Sequence, residues 1–254
     1  MTRTVAVVKD AGSSGATTTI VTVATLLAQR GSRVLVVDLD PQANASQWLG
    51  VVDPPASAAD VLLHRATLAE AVRGANVAGV QVLAAGADLK TARIELGRVL
   101  GPELRLRRAL EHAAVDVILI DCQAGAGELL PLSAIIAADA VLTVTFPGPK
   151  EIGGVPRVEG IVAEVAQAYG TSVGLAAVIP CAVPAANRGR LYGQALQSLR
   201  DSYGALVTPA VRHSVVAAEA FAATTPLPVY APTAGVVQDY RDIVAHLQAA
   251  GVVA

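Results

Sequence analysis

Charge is scarce in this chain. Only 16% of its 254 residues are Asp, Glu, Lys or Arg, and 19 basic against 21 acidic side chains leave a net charge of −2. That balance excludes a wholesale basic nucleic-acid binder, while a local basic patch stays open. Aromatic residues make up 3%, with Trp48 the single tryptophan. Lysine occurs only at Lys9, Lys90 and Lys150. The two cysteines, Cys122 and Cys181, sit in apolar, strand-like surroundings and read as buried free thiols in a reducing cytosol. A membrane span is missing too: the longest uncharged run, Val165 to Asn187, holds Pro180 and Pro184, and the next, Ala220 to Gln238, holds three prolines. Met1 leads straight into a strand pattern with no charged-then-apolar signal segment, so a cytoplasmic location is expected.

What the chain has is apolar residues, 53% of the total, with a mean hydropathy of +0.52 that argues against disorder. Its length buries a core without staples, and we expect one domain over residues 1–254. Short β-branched runs read as strands: Thr4–Val8, Val34–Val37, Val80–Leu83, Val117–Ile120, Val141–Thr145 and Val173–Ile179. They are continuously apolar, as parallel strands covered on both faces are. Helical spacing marks Thr17–Gln29, Leu104–Ala113, Val155–Ala168, Gly189–Asp201 and Gly235–Ala249, with a further short strand near Leu206–Thr208. Strand–helix alternation over the whole length predicts an α/β fold: a single doubly wound, mainly parallel sheet of seven or eight strands with helices on both faces.

Between the first strand and first helix lies Lys9-Asp10-Ala11-Gly12-Ser13-Ser14-Gly15-Ala16-Thr17-Thr18-Thr19. A glycine-rich strand-to-helix turn points backbone N–H groups at an anion, and the helix dipole adds to the attraction. An ordinary turn with Ser/Thr capping has the same composition. Two further segments tip the balance. Asp38-Leu39-Asp40-Pro41-Gln42 and Ile120-Asp121-Cys122 each place an acid after a buried strand, where nucleotide folds hold Mg²⁺.

Through these segments the chain resembles the ParA/MinD-type deviant Walker ATPases, closest to the ParA partition proteins. The family's phosphate motif, Lys-Gly-Gly-x-Gly-Lys-Thr-Thr-Thr, falls without gaps on Ala11 to Thr19. Asp38 to Gln42, Ala84 to Leu89, Leu119 to Cys122 and Val215 to Ala220 with Glu219 also match. The resemblance implies the P-loop fold, ATP or ADP with Mg²⁺ as cofactors, and a homodimer. It places the phosphate contacts on Gly12, Ser13, Ser14, Gly15, Ala16, Thr17 and Thr18. It places the magnesium ligands on Thr17, Asp40 and Asp121, with Asp40 also linked to the attacking water.

The departures are as informative. Both motif lysines are gone, replaced by Ala11 and Ala16, and the second glycine is Ser13. A charged hydrogen bond contributes roughly 1.5–3 kcal/mol, so losing two weakens nucleotide binding by about two orders of magnitude or more. A finger residue is worth about 10³–10⁵ in rate, so hydrolysis should suffer further. Asp10 beside the loop adds repulsion. Lys150, in Phe146-Pro147-Gly148-Pro149-Lys150-Glu151, is a candidate displaced cation for phosphate, and Lys9 is another. Each can equally be a solvated or ion-paired surface lysine.

The expected role is a ParA-like protein of DNA segregation or cargo positioning. It would switch nucleotide or dimer state, with weak Mg-ATP binding and slow or absent hydrolysis, and would be read by a ParB-like or other adaptor. The alternative is a nucleotide-independent pseudo-ATPase dimer that serves as a scaffold for such an adaptor. Arg188, Arg190, Arg200 and Arg212 form a thin basic set, so non-specific DNA binding, and with it nucleoid association, would be weak and salt-dependent. The last helix is apolar and mildly acidic, which fits core docking and not a membrane surface. Trp48 reads as packing.

Overall fold

The computed structural model describes residues 2–10, 15–184 and 190–253. Seven strands form one sheet: β1 (Arg3–Val8), β2 (Val34–Leu39), β3 (Arg73–Gly74), β4 (Val80–Leu83), β5 (Val117–Cys122), β6 (Ala140–Thr145) and β7 (Leu175–Pro180). Their order is β3-β4-β2-β5-β1-β6-β7, and every pair is parallel except the antiparallel β3–β4 edge. Every residue of β2, β5 and β6 is buried, which is why these strands read as unbroken apolar runs.

Thirteen α-helices connect and cover the strands among the described residues. They are α1 (Ala16–Gln29), α2 (Asn44–Trp48), α3 (Ala58–Leu62), α4 (Leu68–Ala71), α5 (Leu89–Leu96), α6 (Arg105–Leu110), α7 (Leu129–Ala137), α8 (Pro149–Ile152), α9 (Val155–Tyr169), α10 (Arg190–Tyr203), α11 (Val216–Ala222), α12 (Leu227–Tyr230) and α13 (Gly235–Ala249). The sheet divides the core in two. On one face Val5, Val7, Val34, Val36, Val117 and Leu119 pack with α1 and α13. On the other, Ala6, Val8, Leu35, Val37, Ile118 and Ile120 pack with α3, α5, α6, α7 and α9. α13 fits the first face because Val236, Val237, Tyr240, Ile243, Val244 and Leu247 recur at helical spacing, all buried.

One expectation needs correction. Leu206–Thr208 is not a strand: Gly204–Leu206 forms a 3₁₀ turn, and Val207 makes only an isolated parallel bridge to Val178. Gly204 has φ 52°, so the chain turns tightly where an extended approach would be needed to lengthen the pairing. The edge strand β3, meanwhile, is two residues long and lacks any alternation to reveal it. The predicted start of the fourth helix, Gly189, lies outside the described residues; from Arg190 onward the helix runs to Tyr203. Both cysteines are free and buried, as their surroundings suggested. No helix among the described residues is long and apolar enough to cross a membrane.

Candidate phosphate and magnesium site

Strand alternation builds the site. Side chains at every second residue share one face of a sheet. In β2 the α1-facing row runs Val34, Val36, Asp38; in β5 it runs Val117, Leu119, Asp121. Asp38 and Asp121 are register partners, and Val7 of β1 stands on the other side of Asp121. Two acids therefore end adjacent rows beneath the start of α1. Both are fully buried.

They differ in how they are satisfied. Asp38 accepts from the Asp40 N–H (3.0 Å), the Ser46 N–H (2.9 Å) and the Ser46 hydroxyl (2.7 Å). It is a scaffold: it shapes the turn carrying Asp40, and Ser46 Oγ in turn accepts from the Ala85 N–H at 3.0 Å. Asp121 has one partner, the Thr17 hydroxyl, which donates to Oδ2 across 2.7 Å. Its Oδ1 is buried with no hydrogen bond. An orphaned carboxylate oxygen in a dry site is costly unless a cation or a proton meets it. Burial first, and then the neighbouring Asp38 charge, push the Asp121 carboxyl up to about 7. Burial likewise raises Asp38 to about 6, against the pull of its hydrogen bonds.

Above the acids, α1 begins at Gly15, whose φ of 88° is left-handed backbone that glycine adopts freely. The N-cap of this helix makes no side-chain cap, so among the described residues the first-turn N–H groups at Ala16, Thr17 and Thr18 have no side-chain acceptor. Gly12, Ser13, Ser14 and Ala11 lie outside the described residues. Ala16 is 1% exposed and belongs to the core. Asp40 is half-buried, and its Oδ1 accepts from the Gln42 N–H at 2.9 Å.

Lys150 sits on α8, exposed, with no ion pair to Glu151 or to any other described residue. Lys9, by contrast, is only 9% exposed. The expected repulsion from Asp10 needs correction: Arg157 Nη1 holds that carboxylate at 2.8 and 3.1 Å, so its charge is paired. Sequence reasoning missed this pair, and it missed the roles of Asp38 and Ser46. The Asp38-x-Asp40 spacing was the available signal, since residues two apart on a strand end share a face.

The site fits a magnesium ion bound together with phosphate. Among the described residues no cluster of three His, Cys, Asp or Glu stands ready for a metal. Mg²⁺ takes one or two protein oxygens and completes its shell with water and phosphate, so the orphaned Asp121 oxygen beside Thr17 is enough to receive it. Thr17 Oγ1 and Asp121 Oδ1 are the groups that would hold it, with Asp40 acting through water. Such an ion would supply positive charge to bound phosphate oxygens.

Elsewhere, Trp48 is packing: it is buried, stacks edge-on against Phe221 with ring centroids 5.3 Å apart, and donates to the Thr225 carbonyl. Arg212 is engaged by Asp239 through Nε and Nη2, both at 2.7 Å. Arg200 is exposed on α10, whereas Arg188 and the Arg190 side chain lie outside the described residues. Arg107 and Arg108 form an exposed face of α6, while Leu106 between them and Arg105 is buried.

A seven-stranded, mostly parallel sheet with an uncapped helix start over two strand-end acids defines a P-loop NTPase fold. Residues 2–174 match the family model described as an AAA domain, and the chain belongs to that family, as a member of the ParA/MinD type. It is 37% identical over 146 residues to the sporulation initiation inhibitor protein Soj of Bacillus subtilis, covering 56% of this chain and 57% of that one. It is 37% identical over 145 residues to the chromosome partitioning protein ParA of Caulobacter vibrioides, covering 55% and 54%. The match thus spans a little over half the length of those curated relatives. Among solved structures, apo McdA of Cyanothece superposes with a TM-score of 0.87 at 20% identity, covering 97% of this chain and 100% of that one. Cobyrinic acid a,c-diamide synthase of Mycobacterium smegmatis, with bound ADP and magnesium, gives 0.83 at 26% identity, covering 98% and 94%.

Proposed function

We propose that this protein is a ParA-like nucleotide switch acting in DNA partition or cargo positioning. It binds Mg·ATP and Mg·ADP weakly and hydrolyses ATP slowly or not at all. The observation that carries this reading is the Thr17–Asp121 hydrogen bond with its orphaned Asp121 Oδ1 beneath an uncapped helix start. Backbone N–H groups and this carboxylate act on phosphate and magnesium without either motif lysine. The curated relatives support the partition side: two of them are named as chromosome partitioning proteins, ParA of Caulobacter vibrioides and of Myxococcus xanthus. The solved structures support the nucleotide side, since an ATP complex of a McdA variant shares the fold with a TM-score of 0.86.

The chain acts as one domain and as a homodimer whose nucleotide state a ParB-like or other adaptor reads. Contact with DNA is weak, because among the described residues of that basic set Arg212 is tied to Asp239. Ala16 in the core favours a second reading, a dimer scaffold that ignores nucleotide. Light scattering on a sizing column separates the two. A monomer that dimerises with Mg·ATP supports the switch. A dimer unchanged by any nucleotide supports the scaffold.

A further inference from the structure

The α1-facing row of β1 runs Val5, Val7 and then, one residue beyond the strand, Lys9. Lys9 therefore continues the same layer in which β2 and β5 end at Asp38 and Asp121, with Val7 in register beside Asp121. Its backbone is fixed there, because its carbonyl accepts from the Gly125 N–H at 3.1 Å, in the loop following β5. The residue as a whole is 9% exposed, yet among the described residues it makes no ion pair and no side-chain hydrogen bond. An ammonium has three donors, and those of Lys9 are unused by the described residues, which leaves them for an anion. Lys150, the other candidate cation, is exposed on α8 and has no contact with the acids.

We propose that Lys9 is the cation of the phosphate site, meeting the phosphates of a nucleoside di- or triphosphate from within the same chain where Ala16 cannot. This assignment rests on the nucleotide-binding reading above and adds to it the residue that makes binding possible. The Lys9 ammonium and the orphaned Asp121 oxygen suit ligand groups of opposite charge. A phosphate group satisfies the first and a magnesium ion the second.

Fluorescent ATP and ADP analogues titrated with Mg²⁺ into wild type, Lys9→Met, Lys9→Gln, Lys9→Arg and Lys150→Ala proteins test the assignment, with thermal unfolding reporting on the fold. Lys9→Met and Lys9→Gln are expected to bind about ten- to hundredfold more weakly, with Lys9→Arg recovering most of the affinity and Lys150→Ala matching wild type. Should wild type bind while folded Lys9→Gln binds within twofold of it, Lys9 is not the cation and the nucleotide reading stands. A tenfold loss in Lys150→Ala instead moves the role to that residue. Wild type that ignores nucleotide at millimolar concentration overturns the nucleotide reading and the Lys9 assignment together.

Discussion

The Thr17 hydroxyl holds one oxygen of Asp121 at 2.7 Å and leaves the other buried without a partner. This half-satisfied carboxylate links the first turn of α1 to the end of β5. It carries a cost for the empty protein and an opportunity for a bound cation.

The cost has a pH signature. Asp38 and Asp121 have native values of about 6 and 7, above those of an unfolded chain. Between about pH 4 and pH 7 the native state retains protons that the unfolded state has released, so stability falls as pH rises through that window. Asp121→Asn should raise the Tm of the ligand-free protein at pH 7.5, with the gain fading toward pH 4. Thermal unfolding against pH measures this; a variant less stable than wild type at pH 7.5 would refute it.

Thr17→Val keeps the helix-facing volume and deletes the hydroxyl. Nucleotide affinity in Mg²⁺ should fall about tenfold or more, while affinity in EDTA should stay near its wild-type value. Equal losses in both buffers would mean that Thr17 does not serve the metal.

The two thiols should be silent in the native protein. Burial pushes Cys181 up to about 11 and Cys122 well above the ordinary thiol range, so neither supplies thiolate at neutral pH. Reaction with a disulfide reagent should proceed at the rate of unfolding and accelerate in denaturant. Rapid labelling in native buffer would contradict the buried placement.

Leu247→Ala, deep in the α1–α13 core, should cost about 2–5 kcal/mol in urea unfolding. It lies far along α13 from the site, so nucleotide affinity of the folded fraction should not change. A matching loss of affinity would reveal coupling between that helix and α1.

Much of this was legible in the sequence. Apolar runs marked six of the strands, most plainly β2, β5 and β6, which are buried on both faces and leave no polar alternation. Asp40 and Asp121 stand out in the sequence as acids after strands, and Thr17 only through the resemblance of its loop to the family motif; the structure brings Thr17 and Asp121 into contact. What could not be read depends on three-dimensional partners. Arg157 neutralises Asp10 across 147 positions of sequence, and Ser46 ties the β2 end to Ala85. The short helices α2, α4 and α8, of four or five residues, show no full period. The burial of Lys9 followed from strand alternation one residue past β1, a row that becomes visible only once the neighbouring strands are in register.

The central claim is that a loop without its lysines still binds magnesium-nucleotide. Titration calorimetry of the purified protein with ATP and ADP, each with Mg²⁺ and with EDTA, tests it most directly. The account predicts saturable binding that strengthens with Mg²⁺ and weakens in Lys9→Gln. Absence of heat up to millimolar nucleotide, under both conditions, would contradict it and leave the nucleotide-independent scaffold as the function.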